Sequence, residues 1–413
     1  MSFFEDIQPA PPIEVFAISE ACQRDPAPNK VNLTVGAYRT NEGLPWVLPC
    51  VRAVELSMAK DEKFNKEYLP VTGLPTMCVS ALKILLGEDN PLIAEKKADG
   101  CQSLGGTGAL YLGMQFLSRV ANYATLYVSR PTWGNHKMLA SLAGLHVQDY
   151  RYWDSAKLAV DFDGMLEDIK GAPSNAIILL HACAHNPTGM DLSREQWMHL
   201  AIVMKEKALF PMFDIAYQGF ASGDLNNDAW AVRYFASLGM ELFAAQSFSK
   251  NFGLYNERVG NLAFITKDAK YTANIKSQLT ILVRKTWSNP PQHGGRIVDT
   301  ILNDPQLCAQ CWSISFHGRK ADVATMANRI KEMRQALYTR LLTLKVPGSW
   351  EHIVNQIGMF AYTGLTAAQA EHMRAKHHVY LLNDGRINIC GLTTNNVDYV
   401  ANAIYETLMA IPQ

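Results

Sequence analysis

The 413-residue sequence has little charge and no excess of either sign. Lys and Arg number 38, Asp and Glu number 38, and charged residues make up 18% of the chain. Zero net charge removes the long-range field that would draw nucleic acid or an anionic membrane as the main partner. Long apolar runs are also missing, and none reaches the roughly eighteen residues of a membrane-crossing helix. Cysteine is sparse: eight residues, at 22, 50, 78, 101, 183, 308, 311 and 390. The one CxxC, Cys308-Ala309-Gln310-Cys311, has no second pair to complete a zinc site and does not follow a strand. These read as reduced, mostly buried thiols, the CxxC pair on a helix. Repeats, low-complexity tracts and long charge runs are absent. Glu5 and Asp6 precede the first basic residue, Arg24, unlike a secretory signal or an Arg-rich presequence. The expected location is the cytoplasm.

What is present is core. Hydrophobic residues make up 48% and aromatics 10%, and a chain of this length buries about three quarters of its unfolded surface. Short, nearly continuous apolar runs lie at 125–128, 176–180, 209–213, 242–245 and 259–265, each followed by polar or glycine-bearing residues. That is how buried strands of a mostly parallel sheet read. Before them comes a proline-rich opening (Pro9, Pro11, Pro12, Pro26, Pro28) with a short helix around 14–22. After Pro305 the spacing of Val323, Met326, Ile330, Met333, Leu337 and Leu341 predicts long helix, bent near Gly318. From Trp350 on, short strands are expected at 358–362, 379–382 and 386–390, with helices over 367–376 and 395–409. The expected architecture is α/β: residues 1–45 an N-terminal segment packing with a small C-terminal domain at 319–413, and a large domain at 46–318.

In doubly wound sheets ligands bind beyond the carboxyl ends of the strands, so the residues after each run matter most. Gln102-Ser-Leu-Gly-Gly-Thr-Gly-Ala109 is a glycine-rich turn opening a helix, where free N–H groups suit an anion such as phosphate. It is neither a P-loop nor G-x-G-x-x-G, and such a turn serves a helix cap as readily as a ligand. His181, Cys183 and His185 alternate and mimic a metal site, but no further cluster supplies a fourth ligand, and the metal reading is set aside. Asn186-Pro-Thr-Gly189 follows as a turn whose amide side chain can face a ligand. Asp214 ends another run and requires a positive partner, because an unpaired buried carboxylate is costly. Lys250 follows Ser247 and Ser249 at a strand end, where a lysine can lose charge and act as an amine nucleophile. Arg258, Arg284 and Arg386 stand beside turns or strands, where a guanidinium grips a carboxylate through paired hydrogen bonds. Any one of them, alone, also fits a surface ion pair.

Together these segments resemble the class I pyridoxal-phosphate-dependent aminotransferases over essentially the whole chain. The motifs include Lys30-Val-Asn-Leu-Thr-Val-Gly-Ala-Tyr-Arg39, Glu67-Tyr-Leu-Pro70, Pro131-Thr-Trp-Gly-Asn-His136, residues 181–189, Asp214 to Phe220, Ser247 to Gly260, Trp287 to Pro291 and Gly385 to Leu392. The resemblance implies the type I pyridoxal-phosphate transferase fold, a large domain with a mostly parallel sheet plus a smaller α+β domain, and reversible amino transfer between L-aspartate and 2-oxoglutarate. It implies that Lys250 forms the Schiff base with pyridoxal 5'-phosphate and shuttles the proton. Asp214 would pair with the cofactor's ring nitrogen and be oriented by His136. Tyr217 and Asn186 would bond its phenolic oxygen, and Trp133 would stack on its ring. Gly106, Thr107, Ser247, Ser249 and Arg258 would hold the phosphate, with Tyr68 reaching it from a second subunit of a homodimer. Arg386, with backbone at Gly36, would bind the substrate α-carboxylate, and Arg284 would cross the dimer interface to the side-chain carboxylate. Trp133 and Asn186 would also face the substrate. No metal is implied.

Overall fold

The computed structural model describes residues 2–312 and 321–412. Seven strands form the central sheet, in the spatial order Ala98–Leu104, Val259–Ile265, Leu242–Ser247, Phe210–Ile215, Ile177–His181, Thr125–Arg130, His146–Arg151. Six run parallel; Val259–Ile265 runs antiparallel to both of its neighbours. That reversal brings the start of the antiparallel strand, with Arg258 just before it, to the edge where its neighbours end.

Strand Ile177–His181 is apolar throughout because both of its faces are covered. Ile178 and Leu180 pack into one core with helices Phe162–Gly171, Arg194–Glu206 and Trp230–Ser237. Ile177 and Leu179 pack into the opposite core with helices Gly105–Arg119, Asn135–Ala143 and Ala269–Thr286. Alternating side chains therefore all find apolar partners, which is why the strand reads as a continuous run rather than an alternation.

A third core holds the C-terminal elements. Helix Asp322–Thr343 buries Val323, Met326, Ile330, Met333, Leu337 and Leu341, the stripe expected from their spacing. It packs on helix Val397–Ala410 and beside the small sheet Phe360–Tyr362 with Arg386–Asn388. The N-terminal segment joins this part of the molecule. Val31–Asn32 pairs in parallel with Val379–Tyr380, and Asp25 accepts hydrogen bonds from His378 at 2.6 Å and the Tyr380 hydroxyl at 2.7 Å. The bend expected near Gly318 and the domain boundary at 318/319 lie outside the described residues. All eight cysteines are free and seven are buried; Cys308 and Cys311 lie on helix Pro305–Trp312. No helix among the described residues is long and apolar enough to cross a membrane.

Candidate active site

A cavity of about 460 Å³ opens where the parallel strands end. Four strand ends feed it. Thr125–Arg130 leads to Trp133, Ile177–His181 to Asn186, Phe210–Ile215 carries Asp214 and leads to Tyr217, and Leu242–Ser247 leads to Ser249 and Lys250. Gly106 and Thr107 enter from the first turn of helix Gly105–Arg119, Arg258 from the start of the antiparallel strand, and Gly36 and Arg386 from the N- and C-terminal segments. Gln102, Ser103 and Leu104, expected in the glycine-rich turn, are the last residues of strand Ala98–Leu104, so the turn proper begins at Gly105.

Asp214 receives a hydrogen bond from His136 Nε2 at 3.0 Å. A carboxylate only accepts, so this nitrogen carries the proton, and that choice fixes the direction of every bond behind it. His136 Nδ1 accepts from the Thr132 hydroxyl at 2.8 Å, Thr132 Oγ1 accepts from His181 Nε2 at 3.2 Å, and His181 Nδ1 accepts from the Asn186 backbone N–H at 3.2 Å. The chain is satisfied with His181 neutral. Burial first, then the neighbouring His136, lowers the His181 pKa to about 3. Burial alone would lift the Asp214 carboxyl, but the hydrogen bond from His136, with the Lys250 ammonium nearby, holds it below the usual carboxylate range.

Burial also lowers the Lys250 ammonium; Arg258 pushes the same way and Asp214 opposes. Its amine stands 5.2 Å from the centre of the Tyr217 ring. Burial, reinforced by Asp214, keeps the Tyr217 phenol protonated far above its ordinary range.

One end of the cavity is built for an anion. Arg258 Nη1 donates to Tyr255 O at 2.8 Å and to Ser249 Oγ at 3.4 Å. Gly105 has φ +67, and a Cβ there would lie 2.5 Å from Arg258 Nη2; at Gly106 it would lie 2.9 Å from Ser247 Cβ. Only glycine lets the helix start come this close to the guanidinium and the serine. At the other end Arg386 is buried, over the Phe360 ring at 4.2 Å, with Nη2 donating to Thr34 O at 3.0 Å and Nη1 reaching Asn186 Oδ1 at 3.4 Å. Its Nε is buried without a hydrogen-bond partner among the described residues. A buried, unsatisfied cationic donor costs stability unless something anionic completes it.

Tyr68 and Arg284 do not line this cavity. Tyr68 is 87% exposed, and Arg284 is exposed with its guanidinium on the Ser288 hydroxyl. Conversely, Thr132, Tyr255 and residues 13–16 belong to the site or its support; Thr132 and Tyr255 lie within quoted motifs but carry no role there, and residues 13–16 lie in no motif. His181 stands out in the sequence only as one of the three residues of a metal mimic. Among the described residues no group of three or more His, Cys, Asp or Glu could hold a metal.

A glycine-opened helix end with Arg258 at one pole, a buried arginine at the other, and between them a lysine whose ammonium pKa is lowered and an aspartate held anionic define a group-transfer site for anionic ligands at the edge of an α/β sheet. The family model for aminotransferase class I and II matches residues 28–404, and the chain belongs to that family. It is 52% identical over 412 residues to the cytoplasmic aspartate aminotransferase of Caenorhabditis elegans, covering 100% of this chain and 99% of that protein. Among solved structures it is similar to the cytoplasmic aspartate aminotransferase of Saccharomyces cerevisiae, with a TM-score of 0.94 at 40% identity over 99% of both chains. It is also similar to an aromatic-amino-acid aminotransferase from Burkholderia pseudomallei covalently bound to pyridoxal phosphate. There the TM-score is 0.94 at 41% identity, over 99% of this chain and 100% of that one.

Proposed function

We propose that this protein is a cytoplasmic, homodimeric aspartate aminotransferase that uses pyridoxal 5'-phosphate. The reaction is L-aspartate plus 2-oxoglutarate giving oxaloacetate plus L-glutamate, with the first product leaving before the second substrate binds. The observation that carries the reading is the meeting of Lys250, Asp214, Arg258 and Arg386 in one cavity.

The residues present fit the cofactor. Gly106, Thr107, Ser247, Ser249 and Arg258 offer a phosphate the positive helix end, two hydroxyls and a guanidinium. Asp214, held anionic, supplies the partner that a protonated ring nitrogen needs. Tyr217, held protonated, and the Asn186 amide are donors for a phenolic oxygen, and Trp133 offers a stacking face. When bound, the cofactor supplies the electron sink that lets a proton leave the substrate α-carbon.

The chain's own residues do the rest. Lys250 would hold the cofactor through its amine and, once released by substrate, would carry the proton from the substrate α-carbon to the cofactor's C4′ carbon. Its lowered pKa leaves more of the amine neutral near pH 7, the form that works as a base. His136 and the bonds behind it keep the Asp214 carboxylate charged and aimed. Arg386 takes the α-carboxylate on the donor face that Nε leaves open, next to the Gly36 backbone.

A dicarboxylate needs a second cation, and we assign it to Arg284 of the other subunit of a dimer, with Tyr68 reaching the other subunit's phosphate site. Exposure of both side chains away from their own cavity supports that assignment. Residues 1–45 with 319–413 form the small domain and residues 46–318 the large one. The likeness to an aromatic-amino-acid enzyme makes phenylalanine the informative competitor. A kcat/KM for aspartate at least ~100-fold above that for phenylalanine is expected, since an apolar side chain leaves Arg284 unpaired; comparable values would overturn the dicarboxylate reading.

A further inference from the structure

We infer that Glu14 is a positioning residue for Arg386 and a brake on dicarboxylate binding; the inference rests on the function proposed above and deepens it. Helix Glu14–Arg24 begins at the rim of the cavity, and residues 13–16 line it together with Leu382 and Arg386. An acid in the first turn of a helix ordinarily serves the free N–H groups and positive end of its own helix. Glu14 instead spends its carboxylate far away in sequence: Oε1 accepts from the Asn383 backbone N–H at 2.8 Å.

Asn383 belongs to the turn that delivers Arg386. Gly385 N–H donates to Leu382 O at 3.0 Å to close that turn, and the Asp384 carboxylate accepts from the Arg386 N–H at 3.1 Å. Arg374 holds the far side, donating to the Asn383 side-chain oxygen at 2.6 Å and to Leu381 O at 2.7 Å. On the cavity side the turn is tied to the N-terminal helix by the Glu14 bond. Turn and helix face each other across the mouth, so this bond fixes where the Arg386 backbone stands relative to residues 13–16.

The same carboxylate has an opposite electrostatic effect. Asp384 first, and Glu14 more weakly, are the carboxylates whose charge reaches Arg386 and favours its cationic form against burial. A dicarboxylate arriving at the mouth meets the negative charge of Glu14, softened because the group is exposed and screened by salt. One group thus holds the arginine in place and opposes the ligand that the arginine binds. Two substitutions separate the effects: Glu14→Gln keeps an acceptor for the Asn383 N–H and removes the charge, whereas Glu14→Ala removes both.

The test uses the pyridoxal-phosphate-loaded wild type, Glu14→Gln and Glu14→Ala, with thermal denaturation to check folding. The readouts are kcat and KM for L-aspartate, and calorimetric Kd for succinate, a dicarboxylate with no amino group to transfer, at low and high ionic strength. Glu14→Ala is expected to raise KM and the succinate Kd ~3- to 10-fold while kcat stays within ~2-fold, the loss of one hydrogen bond read through binding. Glu14→Gln is expected to bind succinate ~2-fold more tightly than wild type at low ionic strength, with the gain gone at high ionic strength. Equal effects of the two variants, or no change of Kd in either, would overturn the assignment. If the wild type binds succinate but does not transaminate aspartate, the proposed function fails, and the ratio of the two variants' Kd values still decides the role of Glu14. If the wild type does not bind succinate, both fail.

Discussion

Lys250 and Asp214 each sit against the preference of their surroundings. Burial penalises both charges, yet Asp214 stays anionic because it accepts the last of a run of hydrogen bonds that leads from the Asn186 amide through His181 and Thr132 to His136. Asp214→Ala removes the anion at the centre of the site and is expected to lower kcat by at least ~100-fold while the purified protein keeps its fold; full activity in steady-state assays would refute the role. His181 carries a prediction about stability. Its pKa in the folded protein is about 3, against about 6.5 in an unfolded chain. Between those values the unfolded chain binds more protons, so this residue withdraws stability as pH falls below the unfolded value, about 2 kcal/mol by about pH 5. The His181→Asn protein should therefore show a smaller drop in Tm between neutral pH and about pH 5 than the wild type. An unchanged drop would mean that His181 is protonated in the folded state.

The elements that carry these residues were legible to different degrees, for reasons that lie in where they sit. Strands buried on both faces, such as Ile177–His181 and Leu242–Ser247, announce themselves as apolar runs. The two edges of the sheet do not. His146–Asp149 alternate exposed and half-buried residues, with only Tyr150 buried, so that edge strand reads as no apolar run, and Ala98–Leu104 has a polar second half in Gln102 and Ser103, which hides its last residues. The glycines of the site were visible as a motif, but the reason for Gly105 became visible only with Arg258 beside it, 153 positions on in the chain and thus outside any local pattern. The relay through Thr132 and His181 likewise depends on three strand ends meeting, which no spacing within one segment encodes. By contrast Lys250 and Asp214 are readable as charges at or just past the ends of apolar strands, and Arg386 as a charge set between a turn and a strand. The turn ahead of Arg386 supplies a test at this scale. Gly385 has φ +79, and a Cβ there would lie 2.6 Å from Leu365 O. Gly385→Ala should cost about 1–3 kcal/mol of stability and raise KM for aspartate more than it lowers kcat, because the strain displaces the α-carboxylate arginine. Denaturant unfolding and steady-state kinetics measure both; an unchanged KM would detach the turn from substrate binding.

The whole molecule has no net charge, so no bulk field gathers its anionic ligands; local cations do. Arg258 and Arg386 stand in the cavity of their own chain, and Arg284 does not, so the proposed dicarboxylate specificity requires assembly. Sedimentation should give twice the monomer mass. Arg284→Asp should lose most aspartate activity and shift preference toward cationic amino acids. Mixing Arg284→Asp with Lys250→Ala subunits should restore part of the lost aspartate activity, since one site of each hybrid dimer then holds Lys250 from one chain and Arg284 from the other. No recovery after demonstrated subunit exchange would place Arg284 outside the neighbouring site.

The central claim is that Lys250 performs amino transfer between dicarboxylates in this cavity. Its most direct test is an assay of aspartate with 2-oxoglutarate, coupled to detection of oxaloacetate, on pyridoxal-phosphate-loaded wild type and Lys250→Ala. The account predicts saturable turnover by the wild type and loss of essentially all of it in the variant, with the cofactor phosphate still bound through Arg258 and the serines. Ordinary activity in Lys250→Ala, or a wild type inert toward this pair of substrates, would contradict it.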